Sequence, residues 1–249
     1  AIERDDRAIV IQNEIAAANL WIAKCYQKEE NPVFTTYLEQ AAAADPTGYY
    51  SIRADQLLSG EAPFPAQANA DFSIDLAKEK KKADKWLRST FKIETSIDLS
   101  SVGDLASNPL FQRGEEFWKL GLRDRARTEF DQLREEMQAD VVNSYRLMNH
   151  MVELGFYQTA SLTSRQILDL AGLSQAATLS DAPIYFNHIR FGIFYRDIIL
   201  PAAVENKIDP LLLFSIIRQE SLFDASIESS AGARGLMQIT PDTGEYIVA

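Results

Sequence analysis

The sequence has 249 residues, a length that allows one large domain or two ordinary ones with a real buried core. Hydrophobic residues make up 46% and charged residues 24% of the chain, a composition that is typical of globular proteins and excludes disordered or collagen-like chains. The 25 basic and 36 acidic residues give a formal net charge of −11, so a polyanion such as nucleic acid would be repelled on average. Nucleic acid is therefore excluded as the expected partner.

Side chains that form disulfides or bind metals are scarce. Cys25 is the one cysteine, which rules out an intramolecular disulfide, and we expect it to be a small apolar residue in a helix core. His150 and His188 are the two histidines, so the Cys and His residues form no cluster at metal-ligand spacing. The sequence thus indicates no metal and no organic cofactor. Nor does any stretch approach the roughly 18 apolar residues of a transmembrane helix.

Apolar residues recur with helical spacing along nearly the whole chain, which predicts an all-α protein. The first predicted helix runs over about 7–25. Its apolar stripe consists of Ile11, Ile15, Ala18, Ile22 and Cys25. Two further helices are predicted over 33–44 and about 47–58, and the Gly and Pro residues of 59–69 predict a break after them.

An internal repeat begins after the Asn108-Pro109 pair, which predicts a capped helix start. The string LGLRDRA at 120–126 recurs as LGFYQTA at 154–160, so Gly155 follows Gly121 by the 34-residue tetratricopeptide period. Glycine permits the left-handed geometry that ends one helix, and the alanine five residues later lets the next helix pack closely. The sequence therefore predicts stacked helical hairpins that form an α-superhelix.

Asp209-Pro210 predicts an N-cap followed by proline at the first position of another helix. This helix carries the strongest candidate for chemistry. Glu220 has helical spacing to Leu213, Ile216 and Ile217, so its carboxylate is expected on the apolar face. Desolvation there would make it titrate above an exposed glutamate and allow it to act as a general acid. The structural alternative is a buried glutamate paired with Arg218 or Arg234.

A loop rich in small residues follows this helix and is predicted to return toward Glu220. Gly232 and Gly235 would allow tight backbone approach. Ser229 and Gln238 supply neutral donors and acceptors suited to sugar hydroxyls and N-acetyl groups, whereas Met237 could be a core residue. Asp224, just after the helix, is expected to have a turn or capping role.

The strings IRQES at 217–221 and AGARGLMQITP at 231–241 together resemble the start of the catalytic domain of soluble lytic transglycosylases. The segment ADPTGYY at 44–50 and the repeats resemble the superhelical part of that family, and 195–201 resembles its junction. The resemblance implies an α-superhelical region over 1–190, with possible breaks near 59–70 and 92–108. It also implies an incomplete lysozyme-like domain over 191–249, because the catalytic domain of the family continues beyond the length present here.

The same resemblance implies a substrate and a site. The substrate would be peptidoglycan, cleaved between N-acetylmuramic acid and N-acetylglucosamine, which implies a periplasmic or other extracytoplasmic location. Glu220 would act as acid and then as base, giving a 1,6-anhydro product. The residues that match groove positions are Ser229, Gln238, Met237 and Thr240, with Ser221, Gly232 and Gly235 as structural support.

Two other functions are compatible with the sequence. A hydrolytic muramidase of the goose-lysozyme kind would use a second carboxylate to activate water, and the mass of the product distinguishes it. A noncatalytic helical-repeat scaffold would bind glycan or protein without cleaving it. Replacement of Glu220 by Gln should leave such a scaffold unchanged.

Overall fold

The structure is a computed structural model that describes residues 2–46, 48–61, 72–173 and 181–248. The described residues form α-helices, one 3-10 helix (Gly103–Ser107) and two isolated β-bridges, which confirms the all-α prediction. The α-helices are α1 (Ile2–Lys28), α2 (Phe34–Ala44), α3 (Tyr49–Ser59), α4 (Leu76–Phe91), α5 (Pro109–Lys119), α6 (Arg123–Glu136), α7 (Val141–Leu154), α8 (Tyr157–Leu170), α9 (Ile184–Arg190), α10 (Arg196–Glu205), α11 (Pro210–Ser221) and α12 (Pro241–Val248). None of these helices is long and apolar enough to cross a membrane.

The chain divides into two compact units, Ala1–Asn69 and Ala70–Ala249. Most of the break predicted near 59–70 lies outside the described residues. The other possible break, near 92–108, holds the 3-10 helix and turns between α4 and α5. The boundary expected at residue 190 stays a prediction.

In the first unit, α1 packs against α2 and α3 through a face other than the predicted one. The buried residues of α1 are Ala16, Leu20 and Ala23. The predicted stripe is exposed at every position, namely Ile11, Ile15, Ala18, Ile22 and Cys25. Apolar residues occur at helical spacing on more than one face of α1, and helices α2 and α3 cover the face that carries Ala16, Leu20 and Ala23. The expected core position of Cys25 is wrong for the same reason.

Both predicted N-caps are present in the second unit. The Asn108 side chain accepts a hydrogen bond from the Leu110 amide at 2.8 Å, and Pro109 is the first residue of α5. Asp209 accepts from the Leu211 amide at 2.8 Å at the start of α11. The proline lacks an amide hydrogen that would otherwise need a partner, so each pair defines a clean helix start.

The repeat consists of two helical hairpins, α5 with α6 and α7 with α8. Gly121 and Gly155 have φ angles of 73° and 79°, the left-handed geometry that ends the first helix of each hairpin. The alanines that follow them, Ala126 and Ala160, are completely buried, as the predicted close packing requires. The hairpins therefore share one core. Its fully buried members include Phe130, Leu133, Tyr145, Leu147, Met148, Met151 and Ile167.

Helices α10 and α11 contact each other and share a smaller core. Its buried residues are Ile199, Phe214, Ile217 and Phe223. α12, by contrast, has no buried residue. The helix that carries Glu220 is thus held by few apolar contacts on one side.

Candidate active site

Glu220 occupies the last turn of α11 and its side chain is exposed, not on the buried face as predicted. The buried positions of the helix are Phe214, Ile217 and Ser221, which define a narrower face than the sequence pattern suggested. Leu213 and Ile216, which flank Glu220 on the helix surface, are only half-buried. The described residues therefore do not supply the expected desolvation of this carboxylate.

Neither of the arginines considered as partners pairs with Glu220. Arg218 donates from Nε to the Arg190 carbonyl at 2.8 Å, and its guanidinium lies 4.4 Å from the centre of the Phe191 ring. Burial lowers the pKa of Arg218. Arg234 pairs with Glu228 at 3.2 Å. Among the described residues, Glu220 takes part in no ion pair, so its carboxylate is available to a ligand.

The loop after α11 returns to the end of this helix, as predicted. Ser221 is 2% exposed, and its hydroxyl lies 2.9 Å from the Leu236 carbonyl and 3.1 Å from the Ile217 carbonyl, to either of which it can donate. Leu236 also packs against the core that contains Phe214 and Ile217. Ser221, which directly follows Glu220, therefore links the end of α11 to the far side of the loop.

Gly232 and Gly235 are needed for their backbone conformation. They are not needed to make room for a neighbouring segment. Their φ angles are 76° and 73°. A Cβ atom on Gly232 would lie 3.9 Å from Pro241, and one on Gly235 would lie 3.7 Å from the Ala225 carbonyl, both ordinary contacts. The expectation of tight approach is therefore wrong. Glycine is favoured here because L side chains rarely adopt this geometry.

The polar groove candidates are partly used inside the loop. The Ser229 hydroxyl accepts from the Ala233 amide at 3.1 Å. The Gln238 amide nitrogen lies 3.0 Å from the Gly235 carbonyl and 3.2 Å from the Ile227 carbonyl. These bonds fix the loop and leave the Ser229 hydroxyl hydrogen and the Gln238 carbonyl oxygen without a partner among the described residues.

The two weaker groove candidates lie further along the loop. Met237 is 39% exposed, so the alternative interpretation of Met237 as a core residue is wrong. Thr240 is half-buried, and its hydroxyl lies 2.9 Å from the Thr243 hydroxyl and accepts from the Thr243 amide at 3.3 Å. Thr240 therefore caps the start of α12.

Asp224 has the expected turn role and a partner that the sequence did not reveal. Its Oδ1 accepts from the Ser226 amide at 2.9 Å and from the Ser226 hydroxyl at 2.8 Å. Its Oδ2 accepts from the guanidinium of Arg127, 97 residues earlier on α6. Burial opposes ionisation of Asp224, but these hydrogen bonds outweigh it and lower the pKa of the carboxyl. No local pattern could have identified a contact at that separation.

Two cavities lie among the described residues, and Glu220 lines neither of them. One, of about 430 Å³, is an open depression beside Phe72, Arg196 and Leu200. The other, of about 20 Å³, lies beside Arg146 and His150 and is large enough for about one water molecule. Within the described part of the chain, no three His, Cys, Asp or Glu residues are arranged to hold a metal ion.

Residues 197–249 match the family described as Transglycosylase SLT domain. Among solved structures, the chain is similar to a 70-kDa soluble lytic transglycosylase in complex with bulgecin A, with 19% identity and a TM-score of 0.54 over 94% of this chain. It is also similar to an inactive mutant of the lytic transglycosylase Slt from Pseudomonas aeruginosa, with 17% identity and a TM-score of 0.48 over 96% of this chain. The matched part is 30% of the first structure and 40% of the second, so this chain spans well under half of either.

Proposed function

Since its SLT domain match at 197–249 relates this chain to the lytic transglycosylases, we propose that it cleaves the glycan strands of peptidoglycan. The bond broken is the β-1,4 bond between N-acetylmuramic acid and N-acetylglucosamine, and Glu220 is the catalytic residue. Because peptidoglycan lies outside the cytoplasm, the protein would act in the periplasm or another extracytoplasmic space.

The proposed reaction needs one carboxyl group in two roles. Protonated Glu220 donates its proton to the glycosidic oxygen as the bond to the anomeric carbon breaks and the muramoyl ring gains positive charge. The resulting carboxylate then removes the proton of the 6-hydroxyl of the same sugar, whose oxygen attacks the anomeric carbon. A 1,6-anhydro ring forms and Glu220 regains its proton, so no water is consumed.

The observation that carries the proposal is the SLT domain match at 197–249, and the geometry of Glu220 is compatible with it. Glu220 is exposed and unpaired among the described residues, and it lies on a helix end that Ser221 ties to the loop. An accessible carboxyl can reach a glycosidic oxygen, and the adjacent Ser221 bond to the loop limits its movement. A glycan strand lying over it would exclude water from the carboxyl group. Bound substrate would then supply the desolvation that the described residues lack.

The hydrolytic alternative needs a second carboxylate that can hold a water molecule. Asp224, the nearest acidic residue along the chain, uses both oxygens for Ser226 and Arg127. Glu228 is paired with Arg234. These contacts favour the one-carboxyl route over hydrolysis.

Glu220→Gln tests the proposal against the noncatalytic scaffold. Both the variant and the parent chain are incubated with purified peptidoglycan, and soluble muropeptides and pelleted protein are measured. We expect the variant to lose product by at least about 100-fold while still binding, because an amide can neither donate nor accept the transferred proton. Glu228→Gln changes an exposed glutamate in the loop after α11; it is the control and should retain activity. Unchanged product from Glu220→Gln would refute the assignment.

A further inference from the structure

The side chain of Asp224 and the backbone around it connect three parts of the second unit. The Asp224 amide donates to the Ser221 carbonyl at 3.0 Å, in the last turn of α11. Its Oδ1 holds Ser226 in the loop, and its Oδ2 accepts from Arg127 on α6. Both side chains are largely shielded, at 11% exposure for Asp224 and 21% for Arg127. A shielded ion pair of this kind fixes geometry more firmly than one in open solvent.

The backbone between Glu220 and Asp224 is in a conformation that needs external support. Leu222 and Phe223 have φ angles of 49° and 64°, so two consecutive residues with side chains are in the left-handed region. Such residues persist only where the surrounding structure holds them in place, and they occur often at functional sites. The last turn of α11 would therefore relax if that support were removed.

An aromatic contact from the segment between α9 and α10 supports the same turn. Phe223 is 3% exposed and meets the Phe194 ring edge-on at 5.4 Å. Phe194 in turn stacks on Tyr157, the first residue of α8, with ring centres 3.9 Å apart. The end of α11 is thus connected to both helical hairpins, to the first through Arg127 and to the second through Tyr157.

We propose that Arg127 and Asp224 are positioning residues that hold the Glu220 carboxylate in its catalytic orientation. This inference rests on the proposed function of Glu220. Arg127 acts through Asp224, which fixes the strained turn and with it the end of α11. On this account the helical hairpins set the direction in which Glu220 faces the glycan.

Hydrogen exchange of backbone amides tests the contact without any substrate. The variants are Arg127→Ala and Asp224→Asn, the second of which removes the charge but keeps an oxygen for Ser226. Arg113→Ala is the matched control, because Arg113 pairs with Glu129 at 2.7 Å within the same hairpin and away from the loop. We expect exchange over 222–239 to accelerate about tenfold or more in both test variants. The amides of α7 should be unchanged, and the control should match the parent chain.

Turnover of purified glycan strands separates positioning from a purely structural role. We expect kcat to fall roughly 10- to 100-fold in Arg127→Ala with KM little changed, because the glycan still binds but the carboxyl is misplaced. Arg127→Lys keeps the positive charge and should recover part of the loss. A change in KM with kcat intact would contradict a positioning role.

Two outcomes would overturn the inference. One is unchanged exchange over 222–239 in Arg127→Ala, and the other is faster exchange with no loss of turnover. Failure of the proposed function has a different signature, since Glu220→Gln would then keep the turnover of the parent chain whatever the Arg127 variants do.

Discussion

The helical hairpins and the C-terminal segment of the second unit are built in different ways. The hairpins α5–α8 bury large side chains completely, among them Phe130, Tyr145 and Met148. The segment after residue 196 has a core of four buried residues, and its last helix, α12, buries none. Its loop is held mainly by hydrogen bonds such as that from Ser221 to Leu236. The comparison indicates that stability resides in the hairpins and that the candidate chemistry lies on a lightly packed surface attached to them.

The largest expected effect is loss of the hairpin core. Phe130 is fully buried and contacts the rings of Phe111 and Phe156. Phe130→Ala removes these contacts and leaves a cavity, so we expect the free energy of unfolding to fall by about 3–5 kcal/mol. Chemical denaturation measures this change. Leu120→Ala, at a 70% exposed position, is the control and should cost much less.

A second change tests how closely α5 and α6 approach each other. A Cβ atom on Gly114 would lie 2.6 Å from the Phe130 ring, so Gly114→Ala should destabilise the protein by more than Gly121→Ala does, by up to about 3 kcal/mol. Gly121→Ala, where a Cβ meets nothing within 4 Å, should cost only the strain of its positive φ, about 1 kcal/mol. The shift in Tm on thermal unfolding measures the destabilisation of each variant. Equal shifts would contradict the close packing of the hairpin.

In the C-terminal segment, Ser221→Ala removes the bond between α11 and the loop. We expect a loss of about 1–2 kcal/mol in unfolding free energy, because the Leu236 carbonyl loses its donor. Hydrogen exchange should show the effect over 222–239 and not in α5–α8. Ser215→Ala is a suitable control, since its hydroxyl bonds within α11 to Leu211 at 2.7 Å and is exposed. An effect spread evenly over the second unit would contradict the division drawn above.

The smallest predicted effect concerns pH. The pKa of Asp224 is lowered in the folded protein, so its ion pair adds stability above the unfolded-state pKa and loses it as pH falls through the folded value. Asp224→Asn should therefore be less stable than the parent chain at pH 7, by about 1 kcal/mol or less after solvent screening. The difference should shrink as the pH falls below about 3.9, the ordinary pKa of an aspartate, because the unfolded carboxyl then takes up a proton. A difference that stays constant with pH would contradict the role of the charge.

Features that depend on neighbouring residues were predictable from the sequence. The caps at Asn108 and Asp209 require only the local chain, and the glycines of the 34-residue repeat, Gly121 and Gly155, mark the ends of helices. The return of the loop to α11 was also predicted, from its small residues.

Features set by packing were not predictable in the same way. Helical spacing predicted a broad apolar face for α11 that includes Glu220. In the structure, the surrounding residues bury only Phe214, Ile217 and Ser221 on this helix. In α1, the neighbouring helices cover the face of Ala16 and Leu20 and leave the face of Ile11 and Ile15 exposed. Arg127 and Asp224 meet across 97 residues, and no periodicity in the sequence connects them. In each case the outcome depends on which surfaces of the folded chain meet. A local sequence pattern does not specify that.

The most direct test of the central claim is the mass of the muropeptides that this chain releases from purified peptidoglycan in ¹⁸O-labelled water. If Glu220 uses the sugar's own 6-hydroxyl, the products will end in 1,6-anhydro-N-acetylmuramic acid, will carry no label, and will be absent with Glu220→Gln. Products that contain an added molecule of labelled water would show hydrolysis and contradict the account.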